Sequence, residues 1–257
     1  MKRIAKEEMY KIEGLCEQIE ETLIWSCLDG SMGEACCDEG ESAVKIVIAD
    51  FGFLLGDADS KEAKALTTYL PTRYYKPNII LVPQNEAWCR HIKEVYGEKA
   101  MRIIRYAFKK HQEHFDCEKL KGFIKALPTD YTIVPIDAHY YEASKQEQWS
   151  RGFCDHFVDW DDYAQRGLGF MVCYKGEPVC GASSYTVYKG GIEIEIYTKE
   201  AFRQKGLATA CGAKLILTCL ERGLYPSWDA ANLKSVGLAE KLGYVYSHEY
   251  VAYAVTL

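Results

Sequence analysis

The most regular hydrophobic pattern in the chain lies in its last third, where Ile192, Ile194 and Ile196 alternate with polar residues. A period of two predicts a β-strand with one apolar and one polar face. After this strand the period changes, and apolar residues recur at helical spacing: Leu207, Cys211, Leu215 and Cys219. Gly223 and Pro226 then predict the end of the helix. The pattern therefore predicts a strand, a connecting loop and a long helix.

The same two periods recur along the whole chain and predict an α/β protein. Further strands are predicted at residues 44–49, 51–55, 78–82, 101–109, 131–136, 170–174, 179–188 and 225–229. Further helices are predicted at residues 4–23, 60–70, 85–97, 116–127 and 232–243, and from Asp137 onward, where an aromatic stripe is expected to be mostly core.

A domain boundary is predicted where a helix ends at Leu127 and is followed by Pro128 and polar residues. This gives an N-terminal domain at 1–128 and a C-terminal domain at 129–257. Residues 79–97 and 225–243 both run from a strand, through a helix that begins after Asn, to a Gly. The first half is therefore either a degenerate copy of the second or an unrelated α/β domain with common capping residues.

The loop between the strand and the long helix has the composition of an anion-binding loop. A helix N-terminus leaves backbone N–H groups without partners and carries roughly half a positive charge. Gly206 lets the backbone approach a bound group because it has no side chain, and charged residues surround it. We predict a pyrophosphate cradle formed by Arg203, Gln204, Lys205, Gly206, Leu207 and Ala208. The loop lacks the glycine spacing of a P-loop or a dinucleotide fingerprint.

Composition and charge argue against several function classes. The chain has 257 residues and a net charge of −6, which argues against nucleic-acid binding because that function requires a basic surface. The acidic balance suits a cationic amine substrate and is also ordinary for a soluble protein. No stretch approaches the roughly 20 apolar residues that span a bilayer, and the N-terminus does not resemble a signal peptide. We expect a cytoplasmic protein without nucleic-acid or membrane partners.

The cysteines and histidines do not predict a disulfide framework or a metal centre. The 11 cysteines are expected to be reduced, buried thiols. Cys173 and Cys180 flank a turn and are the pair that could face each other across a hairpin. His111 and His114 lack a third ligand of suitable spacing, so we expect no metal.

At the anion-binding loop the sequence resembles the GNAT superfamily of acetyl-CoA-dependent N-acetyltransferases. The family writes this loop as [RQ]-x-x-G-x-[GA], and this chain has Arg203, Gly206 and Ala208 at those positions. The preceding strand and the pattern N-x-x-S-x-x-L-A-E-K-L-G-Y, from Asn232 to Tyr244, follow in the family's order. The resemblance covers residues 130 to 257. The patterns T-x-x-x-x-R-x-K-G-L-A-T and P-x-W-D-A-x-N resemble a bacterial two-domain subgroup.

The resemblance implies a fold and an activity. The fold would be α/β (α+β), with a mixed, mostly antiparallel central sheet flanked by helices and a second, non-catalytic N-terminal α/β domain. The activity would be that of an N-acetyltransferase. Acetyl-CoA would be the co-substrate, and the acceptor would be a primary amine of a small molecule or a peptide. The amine would attack the thioester directly in a ternary complex.

The resemblance also implies roles for individual residues. The backbone of Ile196, Tyr197 and Thr198 would hold the pantetheine arm and polarise the thioester carbonyl, a contribution of ~3 kcal/mol. Asn232 would touch the arm, although it could equally be a plain helix cap, and Ser235 would reach the cofactor from the same helix. For Asp229, substrate binding and ordering of a turn both remain open.

The reaction needs a base, because an alkylammonium with a pKa near 10.4 must lose a proton before it can attack. Glu193 and Glu195 lie two residues apart on one face of the strand, about 7 Å from each other. In related enzymes a carboxylate on this strand is the base, and Glu195 is preferred because it is nearer to Ile196. The alternative is that both are solvated or paired with a lysine. The family's usual acid, a tyrosine, is replaced by Ala239, which leaves a non-catalytic acyl-CoA sensor as the alternative function.

Overall fold

The structure, a computed structural model, describes residues 1–17 and 19–257 and separates into two compact units. Unit 1 comprises residues 1–105 and 249–257, and unit 2 comprises residues 106–248. The predicted α/β class, with mixed sheets flanked by helices, is confirmed. Each unit is described separately below.

The described residues form a mixture of strands and helices, in which runs of consecutive strands such as β2 to β4 and β8 to β10 occur. The strands are β1 (Lys2–Ile4), β2 (Glu34–Cys37), β3 (Ala43–Ile48), β4 (Phe51–Gly56), β5 (Asn78–Pro83), β6 (Ala100–Phe108), β7 (Tyr131–Pro135), β8 (Gly169–Tyr174), β9 (Glu177–Tyr188), β10 (Gly191–Thr198), β11 (Tyr225–Ser227), β12 (Asp229–Ala230) and β13 (Tyr246–Thr256). The helices are α1 (Glu13–Cys16), α2 (Thr22–Leu28), α3 (Ala63–Thr68), α4 (Glu86–Tyr96), α5 (Cys117–Lys125), α6 (Ala138–Gln146), α7 (Trp160–Arg166), α8 (Leu207–Glu221) and α9 (Leu233–Leu242).

Unit 1 contains β1 to β5, the part of β13 from Glu249 and the part of β6 up to Arg105, in the order β1-β2-β3-β4-β5-β13-β6. β4 and β5 are parallel, while β13 pairs antiparallel with β5. Helices α3 and α4 contact each other and the sheet. α4 is amphipathic, and its apolar face, with Trp88, Cys89 and Ile92, is buried in the core.

In unit 2 the five-stranded sheet has the order β11-β10-β9-β8-β7. Neighbours are antiparallel except β10 and β11, which are parallel. The long helix α8 packs on four of these strands, and α5 packs on α8. α8 packs closely at Gly212, because a Cβ there would lie 2.9 Å from Cδ1 of Ile196 and the isoleucine side chain would have to shift. β12 pairs with Ala107 and Tyr106 at the end of β6.

The predicted domain boundary after residue 128 lies inside unit 2. Helix α5 ends just before it, at Lys125, and packs on α8 in that unit. The last residues of the chain instead belong to unit 1, where Tyr253 to Thr256 pair with β5. Strand pairing between residues so far apart in sequence has no local sequence signal. A proline after a helix is a local signal, and the predicted boundary was therefore placed there.

One helix prediction was wrong, one strand was missed, and the possible facing of two cysteines across a hairpin does not occur. Residues 4–23 are not one helix: β1 is followed by a 3-10 helix at Lys6–Ile12, then α1 and α2, and Gln18 lies outside the described residues. Strand β2 was missed because its EACC sequence has little polar contrast. Cys173 aligns with Pro178 rather than Cys180, because a β-bulge shifts the register of β8 and β9. The cysteines are free, as expected.

A lysine lies in the core of unit 1. Lys45, on β3, is fully buried, and its ammonium donates a hydrogen bond of 2.8 Å to the carbonyl of Thr67 in the last turn of α3. A helix C-terminus attracts a cation, but removal of the ammonium from water costs more. Burial therefore lowers the pKa of Lys45 to about 7.

This shift makes the stability of the protein depend on pH. An unfolded lysine titrates near 10.4, so between pH 7 and 10 the unfolded chain holds a proton that the folded chain has lost. The contribution of Lys45 to the free energy of unfolding should rise by up to about 1.4 kcal/mol per pH unit through this window, and below pH 7 the full penalty applies. Buried thiols, whose pKa values burial raises, act in the opposite direction, so the contribution of Lys45 is measured as a difference between variants. Lys45→Met should lack this rise when urea unfolding is measured from pH 7 to 10. The surface variant Lys64→Met should retain it, and parallel curves for Lys45→Met and wild type would refute the shift.

Candidate functional site

A cleft of about 670 Å³ opens in unit 2 beside the end of β10, the loop that follows it, and the first turns of α8 and α9. Ten of the eleven residues predicted to hold a cofactor line it: Ile196, Tyr197, Thr198, Arg203, Gln204, Gly206, Leu207, Ala208, Asn232 and Ser235. The eleventh, Lys205, is not in the lining, and its ammonium lies 4.9 Å from the centre of the Phe202 ring. The structure thus brings the predicted loop, strand and helix residues together.

The cleft exists because two strands part. The parallel ladder between β10 and β11 ends where Glu193 pairs with Ser227. β10 continues to Thr198 with β9 as its registered partner, whereas the chain after β11 turns into β12 and pairs with β6. The edge of β10 from Ile196 to Thr198 therefore borders the cleft.

The loop backbone has features that suit an anion. Gln204 and Gly206 have left-handed φ angles of +62° and +77°. α8 begins after Gly206 without a side-chain cap, so no side chain competes for the N–H groups of its first turn. Five other helices are capped by a side chain, from Asn85, Asp116, Asp137, Asp159 and Asn232. A Cβ on Gly206 would meet no protein atom within 4 Å, so the space beside this glycine is open to a ligand.

Positive charge lines the same cleft. Arg203 donates a hydrogen bond of 2.9 Å to the hydroxyl of Tyr197, and its guanidinium lies 5.4 Å from the centre of that ring. Lys234 and Lys241, on α9, also line the cleft. Sequence reasoning missed these two lysines, although with Leu238 they share one helical face at i, i+4 and i+7, a spacing that could have found them.

The residues predicted on and before α9 have separate positions. Asn232 caps the helix, since its side-chain oxygen accepts a 3.0 Å hydrogen bond from the backbone N–H of Ser235. Both residues also line the cleft, so the cap and a ligand contact are compatible for Asn232. Asp229 lies in β12, outside the lining of the cleft, and a substrate role for it remains a prediction.

Glu193 and Glu195 lie on the face of β10 opposite α8. Ile196 faces α8, because it approaches Gly212. Glu195 is half-buried beside the turn at Arg151–Phe153, where a Cβ on Gly152 would lie 3.8 Å from its Cγ. Glu193 is only 4% exposed. Neither is part of the cleft lining itself, and both lie on the strand that borders it.

Phenols surround Glu193. Burial first, and then the charge of Glu193, raise the pKa of Tyr188 and of Tyr225. Burial also raises the pKa of Tyr244, whose hydroxyl donates a 2.6 Å hydrogen bond to the carbonyl of Pro226. Tyr244 is therefore held in the core. Ala239, the residue at the position of the family's usual acid, is also fully buried.

Residues 1–17 and 19–257 contain neither a metal-binding cluster nor a membrane-spanning helix. No group of three or more His, Cys, Asp and Glu side chains there is placed to hold a metal ion. No helix in that part of the chain is long and apolar enough to cross a membrane. The rings of His111 and His114 contact each other at 5.5 Å.

Comparison with known proteins identifies relatives. A family model described as GNAT acetyltransferase matches residues 13–253. A protein of Bacillus subtilis (strain 168), named uncharacterized N-acetyltransferase YdfB, is 28% identical over 178 residues. The alignment covers 67% of this chain and 64% of the length of that protein.

Solved structures with the same fold cover between 83% and 99% of the chain. A GCN5-related N-acetyltransferase-like protein from Streptococcus suis 89/1591 is 41% identical, with a TM-score of 0.88 over 97% of this chain and 98% of that one. A Drosophila protein, 9% identical, has a TM-score of 0.65 over 99% of this chain and 97% of that one. A GCN5-related N-acetyltransferase from Kribbella flavida, 14% identical, has a TM-score of 0.53 over 83% and 86%. The last two show likeness of fold alone.

Proposed function

The chain belongs to the GNAT acetyltransferase family, and we propose that it transfers the acetyl group of acetyl-CoA to a primary amine of a small molecule or peptide. The observation that carries this proposal is the cleft, which combines an uncapped helix N-terminus, two left-handed loop residues and an open strand edge. Each of these features suits one part of acetyl-CoA. The amine attacks the thioester directly, so no covalent enzyme intermediate is required.

The loop from Arg203 to Ala208 is suited to the pyrophosphate. Backbone N–H groups at a helix N-terminus bind phosphate oxygens, and the helix dipole favours their negative charge. Arg203, Lys234 and Lys241 add cations within the same cleft. Since Arg203 contacts Tyr197 in the structure, phosphate binding would compete for its guanidinium.

The strand edge is suited to the pantetheine arm. An arm that begins at the loop and follows Thr198, Tyr197 and Ile196 runs back along β10 toward Glu193. An extended strand covers about 17 Å between Thr198 and Glu193. The thioester end of the arm would then lie nearest the point where the ladder closes, with backbone donors along the way to polarise its carbonyl.

This direction changes the preferred base. The sequence favoured Glu195, which is nearer to Ile196. An arm that enters from the loop instead ends closer to Glu193, at the last rung shared with β11. We therefore assign the base to Glu193, and we assign to Glu195, beside the turn at Arg151–Phe153, the electrostatic attraction of the acceptor ammonium. Asp229 is the next candidate for a contact with the acceptor.

The proposed activity involves the residues of only one of the two units. Every residue assigned here lies between residues 106 and 248, within unit 2. We propose that unit 1 is non-catalytic. A non-catalytic acyl-CoA sensor stays as the alternative function, because Ala239 replaces the family's acid. Release of coenzyme A in the presence of an amine separates the two functions, since a sensor would bind acetyl-CoA without releasing the free thiol.

Acetyl-CoA should raise the melting temperature of the protein, because ligand at 100 times its Kd adds about 2.7 kcal/mol to the free energy of unfolding. Gly206→Val should abolish this shift, since a β-branched side chain is strained at a φ of +77° and would fill the space offered to phosphate. Gly223→Val is the matched control: it has a φ of +68° at the other end of α8, so it should lose stability and keep the acetyl-CoA shift. An unchanged wild-type melting temperature in millimolar acetyl-CoA would contradict the proposed cofactor.

Glu193→Gln should lower kcat at pH 7 by about 10²- to 10⁴-fold, because it removes the proton acceptor and keeps the shape. The loss should shrink as the pH approaches the pKa of the acceptor amine, and the Kd for acetyl-CoA should not change. Glu195→Gln should mainly raise the KM for the amine. Glu221→Gln, at the end of α8, serves as a control. If Glu195→Gln shows the large pH-dependent loss instead, the base is Glu195; if neither variant does, the base lies elsewhere.

A further inference from the structure

Three neighbouring strands of unit 2 carry polar side chains on one shared rung. Glu193 on β10 is the registered partner of Thr186 on β9 and of Ser227 on β11. Partners across adjacent strands present their side chains on the same face of a sheet. Thr186 and Ser227 are fully buried and Glu193 nearly so. The rung is also the last one before β10 and β11 part, at the closed end of the proposed pantetheine path.

The Thr186 hydroxyl has no hydrogen-bond partner among the residues that the structure describes. A buried hydroxyl without a partner is costly, and native proteins usually satisfy such a group with an ordered water. The position is set by a bulge: Tyr185 is the extra residue, because Glu193 aligns with Thr186 and Ile194 with Ser184. Bulges redirect side chains next to active sites.

Ser227 is oriented by a charged neighbour. The ammonium of Lys110 donates a 3.0 Å hydrogen bond to its hydroxyl oxygen. An ammonium can only donate, so the hydroxyl proton of Ser227 is left to donate in another direction. The rung therefore presents a carboxylate between two hydroxyl groups, one held by Lys110 and one with its hydrogen-bonding capacity unused.

We infer that Thr186 is a positioning residue which, together with Glu193, holds an ordered water that carries the proton of the acceptor ammonium to the Glu193 carboxylate. The inference rests on the proposed function. The ammonium gives one proton to the water, and the water gives one to Glu193. The amine lone pair then forms the C–N bond while the C–S bond breaks, and the second amine proton ends on the thiolate sulfur. Glu193 returns its proton to solvent, so each acetyl transfer to an ammonium releases one proton.

The other titratable side chains around the rung do not replace Glu193 as the proton acceptor. Tyr188, Tyr225 and Tyr244 have raised pKa values because they are buried, so they remain neutral across an assay from pH 6 to 9. Lys110 reaches the rung through Ser227. A pH dependence of kcat that changes when the Thr186 hydroxyl is removed therefore reports on the path to Glu193.

The test compares Thr186→Val, which removes the hydroxyl and keeps the shape, with Thr186→Ser, which keeps the hydroxyl. Thr186→Val should lower kcat at pH 7 by about tenfold or more, a part of the loss expected for the base itself, and the loss should fade toward the pKa of the amine. Thr186→Ser should restore most of the activity, and the Kd for acetyl-CoA should be the same in all three proteins. Thr218→Val, which removes a hydroxyl bonded within α8 to the carbonyl of Lys214, is the matched control and should behave as wild type.

A high-resolution crystal structure of the full chain gives a readout that does not depend on activity. A water within hydrogen-bond distance of Thr186 Oγ1 and the Glu193 carboxylate, lost in Thr186→Val, would support the inference even if no amine is acetylated, in which case only the proposed function fails. An active wild type without this water would overturn the inference and leave the function intact. The inference would also be overturned if Thr186→Val lowered kcat by the same factor at every pH. It would be overturned as well if Thr186→Ser were as impaired as Thr186→Val.

Discussion

The candidate site depends on one structural constraint, the separation of two parallel strands. β10 and β11 share three registered pairs and then diverge. If β11 continued along β10, the edge at Ile196 to Thr198 would be hydrogen-bonded within the sheet and closed to a ligand. Because β11 leads into β12, which pairs with β6, the edge borders a cleft instead. A backbone edge offers donors and acceptors in fixed positions, so it can bind an extended molecule without new side chains.

Helix α8, which follows β10, completes the site in two ways: through its packing on the sheet and through its helix dipole. α8 lies close on the sheet because Gly212 leaves room for Ile196. This fixes the helix N-terminus at the end of the strand edge, where its unpaired N–H groups and its partial positive charge are available. The left-handed conformation of Gly206 turns the loop into the helix without a capping side chain. An Asn or Asp cap, as at α4, α5, α6, α7 and α9, would occupy the donors that an anion needs.

Sequence reasoning found the parts of the site that have local signals and missed those that depend on register. The alternating strand, the Arg203 to Ala208 loop and the capped helix at Asn232 are each readable from consecutive residues, and they line one cleft. Thr186 and Ser227 were missed because they are partners of Glu193 through strand pairing, and the Tyr185 bulge changes that pairing without any change in hydrophobic period. The division of the chain between the two units was missed for a related reason, since β13 pairs with β5 across most of the sequence.

The two buried charges of the chain discussed above show how a functional site differs from a structural one. Lys45 is buried in unit 1 against a helix C-terminus, and its hydrogen bond to the carbonyl of Thr67 accounts for where its ammonium lies. Glu193 is buried beside the hydroxyl of Thr186, which has no hydrogen-bond partner among the described residues. Selection for stability alone favours apolar residues of similar volume over an incompletely satisfied polar cluster. A carboxylate and an unsatisfied hydroxyl at the closed end of a ligand cleft are instead what a site needs if it must admit water and exchange a proton.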